Sequence, residues 1–121
     1  MVNIVANLIK LQEQIRILHW QTKIFSRHKA YSKAYDELGV LIDELVEVYQ
    51  GKNNRLEFKQ LTIDVTDIDV CKITDILDES VNMLTIEMTA LLNATKDTDL
   101  LNIRDSILSF INRFKYLLTL K

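Results

Sequence analysis

Two histidines and a comb of acidic residues are the part of this chain best suited to chemistry. His19 stands in the string Leu18-His19-Trp20-Gln21-Thr22-Lys23, and His28 follows within ten residues. Asp36, Asp43, Glu44 and Glu47 come next along the chain. Imidazole and carboxylate are the usual protein ligands of non-haem iron, so this constellation could hold a ferrous ion. The plainer reading of Asp36, Asp43 and Glu47 is a solvated acidic face. For His19 it is a polar residue at the rim of the core, hydrogen-bonded to backbone or carboxylate. Cys71 is the only cysteine, which excludes an intrachain disulfide and a thiolate zinc cluster. No His or Lys–Arg cluster adjoins it to activate the thiol.

The elements that must position these residues read as helices. Ile4, Leu8, Leu11, Ile15, Leu18, Thr22 and Phe25 recur in alternating steps of four and three, the seam of an amphipathic helix. A second apolar line, Ile9, Ile17, Trp20 and Ile24, widens that surface and predicts contact with a partner chain. A short hinge at Ser26-Arg27-His28 makes the first two helices neighbours. The second helix, from about Lys29 to Gln50, carries Tyr31, Ala34, Tyr35, Leu38, Leu41, Ile42, Leu45 and Tyr49, with Gly51 as its stop. The three tyrosines at that spacing are read as packing. Gly39, between the core and the acidic comb, would let another helix approach closely.

The third helix is expected over about Val70 to Ala94, capped by Asp67 or Asp69, and the fourth over about Asp99 to Leu118. Between the hairpins lies Lys52 to Thr66, in which Leu61-Thr62-Ile63-Asp64-Val65 alternates like a strand. One strand without a partner makes no sheet, so this stretch is an extended crossover. At about 3.3 Å per residue it reaches roughly 50 Å, more than the roughly 36 Å length of a 24-residue helix. The expected fold is therefore all-α, one antiparallel four-helix bundle over residues 1–121, on the ferritin-like path with a long crossover between helices 2 and 3.

Composition agrees. The 121 residues contain no proline and two glycines, too few punctuators for a sandwich or an α/β domain. Apolar residues are 48% of the chain, yet no window approaches the roughly 18 consecutive apolar residues of a membrane span. The formal charge of −2 and the lack of a basic tail argue against nucleic acid as a partner. The start of the chain has neither a basic region nor a cleavage site, so no signal peptide and a cytosolic site of synthesis are expected.

Helical geometry also says where the comb points. At about 100° per residue, His28, Ser32, Asp36, Asp43 and Glu47 fall roughly opposite the apolar face centred near Leu38, Leu45 and Tyr31. They look away from their own bundle. No Glu-x-x-His motif occurs on the third or fourth helix, so a di-iron centre inside the bundle is not expected. A site between chains fits.

The Leu-His-Trp string followed by His and acidic residues resembles the Dps branch of the ferritin superfamily. That resemblance implies a ferroxidase site shared between two subunits, histidines from one and carboxylates from the other. His19 matches the first ligand histidine. Asp36 matches the first ligand aspartate when one inserted residue is allowed, and Glu47 the next acidic position. The second histidine of the pattern falls on Ser32, with His28 one turn earlier, and the last carboxylate falls on Gly51. Over nearly its full length the chain also resembles a family of short ferritin-like proteins of tailed bacteriophages. That likeness rests on His19 to Thr22, Asp43 to Gly51, Ile103 to Asp105 and Leu117 to Lys121. It implies a viral origin and a ferritin-like fold.

Two charges interrupt apolar faces: Glu87 among Leu84, Met88 and Leu91, and Arg104 among Leu100, Ile107 and Leu108. A buried charge requires a partner, so a Glu87–Arg104 ion pair across the second hairpin is expected. Two functions follow. One is a helical assembly module, a homo-oligomer or a partner of other phage proteins, without chemistry and incorporated in the virion. The other is an iron-binding protein of Dps type, with iron held between chains by His19, His28, Asp36, Asp43 and Glu47. Neither involves a membrane.

Overall fold

The computed structural model describes residues 1–120. It is all-helical, with four helices and no strand among the described residues. Helix α1 spans Val2–Gln21 and α2 spans Phe25–Lys52. The third helix comprises α3, Ile73–Asn82, a π-helical turn at Met83–Glu87, and α4, Met88–Leu91. Helix α5, Thr98–Leu118, closes the fold. No helix is long and apolar enough to cross a membrane, among the described residues.

No helix start carries a side-chain cap, so packing of apolar faces must hold these helices. The α1 seam is buried through Ile4, Leu8, Leu11, Ile15 and Leu18, as its spacing predicts. Leu38 and Leu45 of α2, Leu77 of α3, Leu84 of the π turn, Met88 of α4 and Ile107 of α5 complete a continuous core. Fully burying each such side chain is worth about 1.5–3 kcal/mol. Tyr31 sits edge-on to Phe114 at 6.0 Å between ring centroids, and Tyr35 and Tyr49 pack at the core margin.

Contacts at the helix ends define the arrangement. Gln12 of α1 donates to the Tyr35 carbonyl of α2. Arg27, at the start of α2, donates to the carbonyl of Leu118 at the end of α5 (2.6 Å), while Lys52 at the other end of α2 reaches Asp99 at the start of α5 (2.7 Å). Asn7 of α1 accepts from the buried Ser80 of α3 at 2.8 Å. Helix α1 thus lies beside α2 and the third helix, and α5 beside α2 and the third helix.

Several boundaries differ from expectation. The hinge is Thr22–Ile24, because Ser26, Arg27 and His28 already belong to α2. Phe25 leaves the α1 seam with them and is exposed. Gly51 lies inside α2 without positive φ, and the helix ends on an extended Asn53. Asp67 and Asp69 do not cap α3, whose N-cap is Lys72. Asp67 instead accepts from Gln21 of α1 at 3.0 Å. Gly39 serves the chain itself: a Cβ there would stand 2.7 Å from Gln12 Nε2, so its bare backbone admits that side chain.

Candidate functional site

The first hairpin brings both histidines together. Their rings stack at 4.1 Å between centroids, and the two Nε2 atoms are 3.2 Å apart. His28 Nδ1 lies 3.0 Å from the carbonyl oxygen of His19, one of the last carbonyls of α1 and without a helical partner. A carbonyl only accepts, so His28 Nδ1 carries the proton. In neutral His28 the Nε2 is then bare, and His19 Nε2–H donates to it. Burial, followed by the neighbouring His28, holds the His19 imidazole below its ordinary pKa, and Asp36 pulls the other way.

The carboxylates do not join this pair within one chain. Asp36 is near enough to act on His19 electrostatically. Asp43 and Glu47 lie seven and eleven residues further along α2, roughly 10 and 16 Å away along its axis. All three are exposed. Among the described residues, no group of three or more His, Cys, Asp or Glu could hold a metal ion. One copy of the chain therefore brings two imidazoles together with no carboxylate or thiol completing a set of three beside them. Asp36, Asp43 and Glu47 form the outward stripe expected of them, on the face of α2 opposite Leu38 and Leu45.

Glu87 and Arg104 are not paired. Arg104 Nη1 donates to Thr89 Oγ1 at 2.6 Å, and its Nη2 meets Asp105 at 2.8 Å. Glu87 is exposed. The reason lies in the π turn, whose i→i+5 closure holds more residues than the 3.6 of an α turn. Counting at α spacing from Leu84 puts Glu87 on the apolar face; the wider turn rotates it, and Leu91 beyond it, into solvent. Burial pushes the Cys71 thiol up, against weaker opposing effects of Thr66 and Lys10, and the group has no activating partner.

Three polar arrangements escaped the sequence reading. Gln14 is buried on the α1 seam, and its amide both donates to the Thr66 carbonyl (2.9 Å) and accepts from the Thr66 N–H (3.0 Å). Gln21 holds the next residues, accepting from Ile68 N–H at 2.7 Å. Lys52 gathers the Lys96 carbonyl, Asp97 and Asp99 at the far end. These bonds hold Lys52 above its ordinary pKa and Asp99 below its own, while Asp97 is held down first by the Asn93 N–H and then by Lys52. A polar residue inside an apolar seam was the available signal for Gln14. Lys52 gave none, because its partners are more than forty residues away.

Around the turn between α1 and α2 stand three exposed large apolar side chains. Trp20, Ile24 and Phe25 are 64%, 58% and 71% exposed. Arg16 lies over the Tyr35 ring at 4.4 Å, and Lys29 over Phe25 at 4.9 Å.

No solved structure matches the chain. An uncharacterized 14.6 kDa protein in the mobD-ri intergenic region of Enterobacteria phage T4 is 32% identical over 117 residues, covering 94% of this chain and 84% of that one. This similarity supports a phage origin. With the family's profile matched over residues 19–118, the chain belongs to the family of unknown function DUF5856.

Proposed function

We propose that the chain is a phage-encoded helical assembly protein, a non-catalytic module that associates with copies of itself or with other phage proteins and enters the virion from the host cytoplasm. The observation that carries this is the cluster of Trp20, Ile24 and Phe25, three large apolar side chains exposed within six residues. Clustered exposed apolar side chains mark association surfaces. The scaffold is read as an antiparallel bundle of ferritin-like path. His19 with His28, Gln12 with Tyr35, Arg27 with Leu118, and Asn7 with Ser80 support that path, which runs helices 2 and 3 in one direction. Sedimentation of the native protein at micromolar concentration tests the proposal. An assembly larger than the 14.1 kDa chain is expected, weakened in Trp20→Ser/Phe25→Ser. A monomer that also captures no other phage protein in infected cells would overturn it.

The histidine pair favours a second reading, iron held between chains. Two imidazole nitrogens 3.2 Å apart suit neighbouring positions on one metal ion, and a second copy would have to supply carboxylates such as Asp43 or Glu47. Anaerobic ferrous titration of wild type and His19→Ala separates the two: stoichiometric binding lost in the variant supports iron, and no binding by the wild type at micromolar metal removes it.

A further inference from the structure

The solvent face of α2 is divided by charge. Lys29 and Lys33 stand in its first half, and Asp36, Asp43 and Glu47 follow. At about 100° per residue all five lie within roughly 80° of arc, diametrically opposite the buried Leu38 and Leu45. Lys33 makes an intrahelical pair with Glu37 at 3.8 Å, but Lys29, Asp43 and Glu47 enter no ion pair among the described residues. Lys29 and Lys33 are like charges at i,i+4, as are Asp43 and Glu47, and such spacing is unfavourable within one helix. The same segregation becomes favourable against a copy of the helix running the opposite way.

We propose that two copies of this chain pack α2 against α2 in antiparallel register, with Lys29 facing the partner's Glu47 and Lys33 facing the partner's Asp43. This inference rests on the self-association reading above. The same register places the rest of the stripe. Phe25, at one end, falls opposite the partner's Gly51, around which there is open space for an aromatic ring. Val40, 67% exposed, falls next to the two-fold axis and opposite the partner's Asp36, whose charge can turn to solvent beside it. A two-fold contact of this kind is self-complementary, each pair occurring twice. Charge pairs of this kind fix register and partner choice.

Lys29→Glu and Glu47→Lys test the register by sedimentation equilibrium, alone and mixed in equal amounts. Each variant alone sets like charges opposite each other and should weaken association at least about tenfold. Each also replaces a like-charge i,i+4 pair by an opposite one, so helix content by circular dichroism should hold or rise. The mixture forms a heterodimer with both pairs of opposite charge restored, one of them transposed, and should regain wild-type affinity. Association of both variants alone at wild-type strength would overturn the α2 register while leaving the assembly proposal standing. Weakened variants that fail to recover on mixing would overturn the antiparallel pairing. A wild type that stays monomeric would overturn this inference together with self-association.

Discussion

His28 adds a side-chain partner to the end of α1, beside the Thr22 N–H that bonds the Leu18 carbonyl. Its Nδ1–H takes the His19 carbonyl, and its ring stacks on the His19 ring, so one side chain ties the end of α1 to the start of α2. The His19 ring ties pH to folding. The folded His19 holds its proton less tightly than the ordinary value of about 6.5, chiefly through burial. The unfolded chain therefore binds more protons below that value, and stability contributed by neutral His19 is present above it. As pH falls through the ordinary value and then the lower folded one, that contribution is lost. The thermal midpoint of the wild type should fall between about pH 7 and about pH 5 more steeply than that of His19→Gln. Equal slopes in the two proteins would remove His19 from the account.

At the scale of elements, Gln14 shows how a single amide can hold a segment with no regular structure. Residues 53–72 have no ladder of their own, and the Thr66 N–H and C=O both find their partners on Gln14 of α1. Gln14→Leu keeps the size and the apolar seam but strips both partners from a part-buried peptide. Two lost bonds with incomplete solvation place the cost at about 2 kcal/mol, measurable as a lowered urea midpoint with unchanged helix content. A change under about 0.5 kcal/mol would mean that water replaces the amide. Such strapping was hidden in the sequence, because a glutamine on a seam names no partner fifty residues away. The seams themselves were legible: Ile4 to Leu18 in α1, and Tyr31, Leu38 and Leu45 in α2, are buried at the spacing that announced them. Phase was legible only while the helix stayed α. Across Met83–Glu87 the π turn broke the count, and the expected partner of Arg104 turned to solvent. The histidine pair was legible as proximity in sequence, though its stacking required a hinge at Thr22–Ile24.

For the whole molecule, the net charge of −2 conceals an uneven distribution. From Gln14 to Tyr35 the chain has five Lys or Arg residues (Arg16, Lys23, Arg27, Lys29 and Lys33) and no acid, whereas Asp36 to Glu47 carries five acids (Asp36, Glu37, Asp43, Glu44 and Glu47) and no base. Two forces could then drive self-association: exposed charge along α2 and apolar surface around Trp20 and Phe25. They respond oppositely to salt. The Debye length shrinks from about 10 Å at 0.1 M to about 3 Å at 1 M, so exposed charge pairs fade as sodium chloride rises. Apolar contact holds, and excluded salts such as sulfate strengthen it. An antiparallel α2 contact therefore predicts that sodium chloride weakens the dimer severalfold between about 0.05 and 0.5 M, with the dependence lost or reversed in Lys29→Glu and in Glu47→Lys measured singly and regained in their equimolar mixture. A dimer whose Kd is flat in sodium chloride and tightens in sulfate would assign the contact to Trp20, Ile24 and Phe25 instead.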